Sequence, residues 1–143
     1  MKKYHGLDCI LLIDDDTPTN FLHSMVIKRA GIDAHVEVHT SAIDALHYLT
    51  STGKFVGQPC IQPGIIFLDI NMPAMNGWEF MDEYDKLPVE QRAKITVIML
   101  TTSLNPLDKD RASGYKEIVT YLHKPLMMDK LQELILLHFP EIV

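Results

Sequence analysis

The chain has 143 residues, enough for one domain that buries roughly two-thirds of its unfolded surface, and its pattern leaves nothing over for a second. Apolar residues make up 47% and charged residues 22%, which excludes a disordered or fibrous chain and fits an ordinary globular fold. A net charge of −6 with no cluster of Lys and Arg argues against nucleic acid as a direct partner, and no apolar run approaches membrane-spanning length. Lys2-Lys3 precede the apolar stretch Cys9 to Ile13, which is too short for a signal-peptide core. Cys9 and Cys60 form no metal-binding spacing, so the expectation is a cytoplasmic, reduced protein in which Cys9 is a small core residue.

Taken in order, the chain alternates strand and helix five times. Cys9-Ile10-Leu11-Leu12-Ile13 is a short apolar run without alternation, the mark of a strand buried on both faces of a parallel sheet. It stops at Asp14-Asp15-Asp16. Thr17-Pro18 then opens a helix with a capping hydroxyl and an early proline, and Asp16 is a second candidate for the cap. Phe21, Leu22, Met25 and Val26 are expected to form its apolar face, and Gly31 to close it. Ala34 to His39 alternates polar and apolar, predicting a strand at the edge or with one exposed face. Ser41 caps a second helix carrying Ile43, Leu46 and Leu49, and residues 51–64, with three glycines and two prolines, read as a long surface loop.

Ile65-Ile66-Phe67-Leu68 is a third strand, stopping at Asp69, and a turn-rich loop follows to Gly77. A third helix is expected from about Trp78 to Leu87, burying Phe80, Met81 and Tyr84. Ile95 to Leu100 is a fourth strand ending at Thr101, and Asn105-Pro106 starts a short helix ending near Gly114. Ile118 to His123 is the fifth strand, ending at Lys124-Pro125, and a last helix spans about Met127 to Phe139. Within it Leu134-Ile135-Leu136-Leu137 is apolar beyond one stripe, so it is either packed on two sides or a partner surface.

In open parallel sheets ligands bind beyond the carboxyl ends of the strands. Here those ends carry Asp14, Asp15, Asp69, Thr101 and Lys124. If Asp14, Asp15 and Asp69 converge, each pair 4 Å apart repels by about 4 kcal/mol at an effective dielectric of 20. Such a group must bind a cation or hold a proton, and an all-oxygen donor set favours Mg²⁺ or Mn²⁺. Asp69 is then a ligand or also a nucleophile, since a carboxylate attacking phosphorus gives an acyl phosphate. Lys124 and the Thr101 hydroxyl would cover the remaining phosphoryl oxygens. His35, Glu37 and His39 share one face of the second strand and read as an exposed polar face. Trp78, Met72, Met75 and Met81 read as packing residues.

Four motifs together resemble the receiver domain of two-component response regulators: Leu12-Ile13-Asp14-Asp15-Asp16, Phe67-Leu68-Asp69-Ile70-Asn71-Met72-Pro73-Ala74-Met75-Asn76-Gly77, Thr101-Thr102 and Lys124-Pro125. The likeness covers essentially the whole chain. It implies an α/β fold of flavodoxin type: a doubly wound, five-stranded parallel sheet of order 2-1-3-4-5 with five helices, residues 1–143 forming a single receiver without an output domain. It further implies that Asp69 is the phosphoacceptor and that Asp14, Asp15, Asp69 and the Asn71 carbonyl hold Mg²⁺, with Mn²⁺ as the alternative. Thr101 and Lys124 would contact the phosphoryl group, Thr101 and Tyr121 would form the switch, and the Lys124–Pro125 peptide would be cis. A sensor histidine kinase or histidine phosphotransfer protein would be the donor, and a downstream protein would read the face of the fourth helix, fifth strand and fifth helix. A homodimer stays open, as does the cognate kinase.

Some details depart from the common pattern. Three consecutive aspartates leave the ligand assignment open by one position, the 51–64 loop is long, and Thr102 is bulkier than the small residue often found there. Asn71 and Ser103 lie where the family tunes dephosphorylation. The long loops and the Leu100-Thr101-Thr102-Ser103 stretch are similar to stand-alone receivers, including partners of phytochrome-type kinases. Two other functions use the same residues: a small Mg²⁺-dependent phosphatase or mutase with Asp14 as nucleophile, and an interaction module that binds Mg²⁺ without being phosphorylated.

Overall fold

The computed structural model describes residues 1–93, 96–102 and 105–141, with the side chains of 96–100 left aside. Ile95 and Ser103, both named above, lie outside the described residues. Five parallel strands, β1 (Cys9–Ile13), β2 (His35–His39), β3 (Ile65–Leu68), β4 (Thr96–Thr101) and β5 (Ile118–His123), form one sheet of order β2-β1-β3-β4-β5. The helices are α1 (Thr17–Arg29), α2 (Ala42–Thr50), α3 (Gly77–Tyr84), α4 (Pro106–Ala112) and α5 (Met128–His138), and two short 3₁₀ turns, Gly53–Phe55 and Val89–Gln91, lie in loops.

β1 and β3 are the centre. Every residue of both is buried, because helices cover each face. Alternate side chains feed two cores. Leu11, Ile13, Ile66 and Leu68 meet Ala45, Phe80, Met81 and Tyr84 on one side. Ile10, Leu12, Ile65 and Phe67 meet Ile27, Leu131, Ile135 and Phe139 on the other. β5, by contrast, is only partly buried although its sequence run resembles the central ones, since it is an edge strand with one neighbour. Parallel register aligns Ile13 with Leu68 and Leu68 with Met99, so Asp14, Asp69 and Thr101 emerge at one edge.

Several helix faces differ from expectation. On α1 the buried residues are Asn20, His23 and Ile27, while Phe21 and Leu22 are 69% and 49% exposed. The helix is turned so that two polar side chains reach backbone groups inside, and the apolar pair is left outside. Asp16, not Thr17, is its N-cap; the Asp16 carboxylate accepts from Thr19 N at 3.0 Å and also from the Thr19 hydroxyl. On α2, Ser41 caps by accepting from Asp44 N at 3.1 Å, but Ile43 points outward and Ala42, Ala45, Tyr48 and Leu49 face in. α3 stops at Tyr84, three residues before the expected Leu87. On α5, Leu134 and Ile135 are buried while Leu136 and Leu137 are exposed, so the helix packs on one stripe and not on two sides.

The polar face read on β2 is also corrected. His35 is exposed, but His39 is 7% exposed and sits in a box with Tyr48 and Phe55, ring centroids 5.2 and 5.3 Å away. Glu37 stands between the two imidazoles, at 2.8 Å from His35 and 2.9 Å from His39. At the far side of the molecule α4 is held to α3 by stacked groups: the Arg111 guanidinium lies 4.7 Å over the Trp78 ring, and Trp78 stacks on Tyr115 at 5.9 Å. The Tyr115 hydroxyl donates to Asp82 at 2.8 Å. Tyr4 pairs with Glu141, and His5 N donates to the Pro140 oxygen at 2.7 Å. Among the described residues no helix is long and apolar enough to cross a membrane.

Burial holds the imidazoles of His23 and His39 below the usual histidine range. The unfolded chain, with histidines near pKa ~6.5, therefore takes up protons first as pH falls. Stability contributed by these neutral rings is full above that pH and declines below it. The urea midpoint is expected to fall between pH 7 and pH 5.5, and less steeply in a His23→Gln/His39→Gln variant; parallel curves for the two proteins would refute this.

Candidate functional site

The carboxyl edge of the sheet gathers three carboxylates and an ammonium. One ligand oxygen each from Asp14, Asp15 and Asp69 lies within 4.8 Å of the others. Asp14 and Asp69 are 4% and 6% exposed, whereas Asp15 opens to solvent. Backbone bonds fix the two buried acids: Asp14 N donates to the His39 oxygen at 3.1 Å and Asp69 N to the Ile13 oxygen at 2.9 Å. The Asp14 side chain is engaged at both oxygens. Oδ1 accepts from Asp16 N at 2.9 Å, and Oδ2 accepts from Lys124 Nζ at 2.5 Å. Lys124 Nζ also stands 3.1 Å from Asp69 Oδ1. In space Asp14 and Asp15 group with Asp69, whereas Asp16 caps α1.

Burial, then the neighbouring Asp14 carboxylate, raise the Asp69 pKa, against the pull of Lys124. Burial alone would lower the Lys124 ammonium, but its bonds to Asp14 and Asp69 outweigh that and its pKa lies above the lysine range. Three acids against one cation leave excess negative charge in a half-enclosed place, and the donors are all oxygens. That combination suits a hard divalent cation that keeps several waters.

Local sequence explains the placement. Asn76 caps α3 by accepting from Glu79 N at 2.9 Å, and the Glu79 carboxylate accepts from Asn76 N at 3.1 Å; this reciprocal box was readable as Asn-x-x-Glu. Gly77 lets the start of α3 press on the Asp69 backbone, where an added Cβ would lie 2.5 Å from the Asp69 oxygen and 2.9 Å from Ile70 Cα. Thr101 is fully buried at the end of β4, and its main-chain oxygen accepts from Lys124 N at 2.8 Å, which ties the two strand ends together. The Lys124–Pro125 peptide is cis. Tyr121 is partly buried in β5, edge-on to His123 at 5.9 Å, and lines a cavity of about 230 Å³ between β5 and α4 with Ala112 and Ile118. Asn71 is exposed in the loop after Asp69. The sequence reading missed Asn20 and His23, buried beside Asp14; their spacing from Ile27 on one helical face was the available signal.

Comparison with known proteins places this geometry. The family described as the response regulator receiver domain matches residues 10–136. The response regulator Rcp1 of Synechocystis is 32% identical over 99 residues, 69% of this chain and 65% of Rcp1, so the chain spans just under two-thirds of that relative. A crystal structure of a response regulator receiver protein from Dyadobacter fermentans superposes with a TM-score of 0.77 at 30% identity, covering 92% of this chain and 98% of that one. The Mn²⁺-bound form of Rcp1 superposes with a TM-score of 0.71 at 27% identity, covering 90% and 88%.

Because Asp69 is raised by burial and by Asp14, its ionised form costs folding free energy at neutral pH. Asp69→Asn is expected to melt a few degrees above wild type in EDTA at pH 7, with the gap narrowing or reversing once Mg²⁺ is added; a lower melting point in EDTA would contradict the crowding. Gly77→Ala, by forcing apart α3 and the Asp69 backbone, is expected to cost about 1–3 kcal/mol in urea unfolding.

Proposed function

Since the chain belongs to the receiver domains of two-component response regulators, which are phosphoacceptor signalling domains, we propose that Asp69 accepts a phosphoryl group from a phosphohistidine on a sensor kinase or phosphotransfer protein. The supporting observation is the convergence of Asp14, Asp15 and Asp69 with Lys124 bonded across the two buried acids. Asp14 has both oxygens occupied by Asp16 N and Lys124, which disfavours it as the nucleophile. Asp69 is the other buried carboxylate, with Oδ1 at 3.1 Å from Lys124 Nζ.

The Asp69 oxygen attacks phosphorus, the phosphorus–nitrogen bond breaks, and the histidine leaves with the electron pair, giving an acyl phosphate on Asp69. Asp14, Asp15, Asp69 and the Asn71 carbonyl would hold Mg²⁺, which would supply positive charge to offset the negative charge on the transferred group. Lys124 exchanges part of its contact with Asp14 for a phosphoryl oxygen, and Thr101 offers its hydroxyl to another. Because the Thr101 oxygen holds Lys124 N, a shift of Thr101 moves the ends of β4 and β5 together. The cavity beside Tyr121 gives its ring room to turn as the molecule moves between two pre-existing states. Exposed Phe21 and Leu22 supply apolar surface near the site for the donor, and Leu107, Val119 and Met127 supply it on the α4–β5–α5 face for a downstream protein. The receiver spans residues 10–136, acts in the cytoplasm, and signals by protein contact or by passing the phosphoryl group on; its self-phosphorylation and self-dephosphorylation use the same residues.

Incubation with acetyl phosphate and Mg²⁺ is expected to give one hydroxylamine-sensitive phosphoryl adduct by intact-mass measurement, absent without the metal and absent in Asp69→Asn. An adduct that persists in that variant moves the acceptor elsewhere. Backbone NMR shifts at α4 and β5 are expected to change on phosphorylation, and unchanged shifts there would rule out the Thr101–Tyr121 coupling.

A further inference from the structure

Behind the carboxylates, α1 turns two polar side chains inward where an apolar stripe would ordinarily run. Asn20 and His23 are 4% and 2% exposed. Their hydrogen bonds do not end on arbitrary neighbours. Asn20 Nδ2 donates to the main-chain oxygen of Asp14 at 2.7 Å. His23 Nε2 accepts from Leu126 N at 3.2 Å, which requires the imidazole to be neutral with its proton on Nδ1. Leu126 stands two residues beyond Lys124, and Lys124 Nζ returns to Asp14 Oδ2 at 2.5 Å. The contacts therefore close a ring: Asp14, Asn20, one turn of α1, His23, Leu126, Lys124 and Asp14 again.

Both side chains also border a small cavity of about 10 Å³ that Asp14 and Asp69 share. The Asn20 Oδ1 atom is buried with no protein partner among the described residues, and a space of that size admits about one water. Polar groups placed here cost folding free energy unless satisfied, and leucine at either position would fill the helix face more simply. What they supply instead is a fixed distance between the segment that carries Asp14 and the segment that carries Lys124.

We propose that Asn20 and His23 are positioning residues for phosphoryl transfer, setting through α1 where Lys124 stands over Asp69 and how the Asp14–Asp15 peptide is presented. This rests on the reading of Asp69 as phosphoacceptor. Asn20 acts on the strand end bearing the acids, and His23 acts on the lysine segment alone, so their removal should have different signatures.

The test compares wild type with Asn20→Ala, His23→Leu and His23→Gln, each verified as folded by circular dichroism. Rates of phosphorylation by acetyl phosphate in saturating Mg²⁺ are measured by intact mass, and Mg²⁺ affinity by calorimetry. Asn20→Ala and His23→Leu are expected to slow phosphorylation about tenfold or more, in line with the loss of groups that orient a reacting site. Mg²⁺ affinity should fall in Asn20→Ala and stay within about twofold in His23→Leu, which touches no acid. His23→Gln, whose amide oxygen can accept the Leu126 proton, should recover most of the rate. Folded variants that react at the wild-type rate, or a glutamine no faster than leucine, overturn the proposal. Should Asn20→Ala or His23→Leu not fold, a through-hydrogen-bond ¹⁵N–¹⁵N coupling between Leu126 and His23 Nε2 in the wild-type protein decides: its absence overturns the ring. A wild-type protein that takes up no phosphoryl group, or an Asp69→Asn variant that still does, overturns the underlying reading of Asp69 instead.

Discussion

Like-charge crowding at the carboxyl edge of the sheet is the constraint on which the rest depends. Two carboxylates withheld from water and a third at the rim face a single ammonium. Left to relax, such groups would spread apart. They cannot, because each buried acid leaves a strand buried along its whole length and is tied by its own amide to the neighbouring strand. The hydrophobic interior thus supplies the force that keeps an unfavourable arrangement in place. Its stored repulsion is what a bound cation would relieve.

How much of this was visible in the chain follows from which forces set each element. β1 and β3 were legible to the residue, because a parallel strand covered on both faces admits only apolar side chains and ends where the acids begin. Their order was what the receiver-like motifs implied, and the meeting of Asp14, Asp15 and Asp69 was the expectation for acids that end strands of one parallel sheet. The helix faces were less legible. Hydropathy assigned Phe21 and Leu22 to the interior of α1, but the helix is rotated by the hydrogen bonds of Asn20 and His23, which no hydropathy pattern encodes. His39 misled in the opposite sense: a polar residue on an edge strand, it is buried because Tyr48 and Phe55, from the helix and loop that follow it, close over it. The unbroken apolar run of β5 resembles that of the central strands, and its place at the edge came from the receiver-like motifs, since composition does not say how many neighbours a strand has.

One main-chain contact also links the site to the neighbouring strand. Thr101 and Lys124 share a backbone hydrogen bond, so the two strand ends nearest the acids cannot move independently. Tyr121 lies in the same strand as Lys124, beside open space under α4. Motion there need not be large, since packed interiors hold discrete arrangements and do not deform smoothly.

Trp78 is the only indole in the chain, and it lies on the seam between α3 and α4, with the Arg111 guanidinium over its ring and the Tyr115 ring stacked on it. The protein therefore carries its own optical gauge. Whatever slides α4 along α3 must lift a cation from one face of the fluorophore and admit solvent to it, so the colour and yield of its emission track the seam without any attached dye.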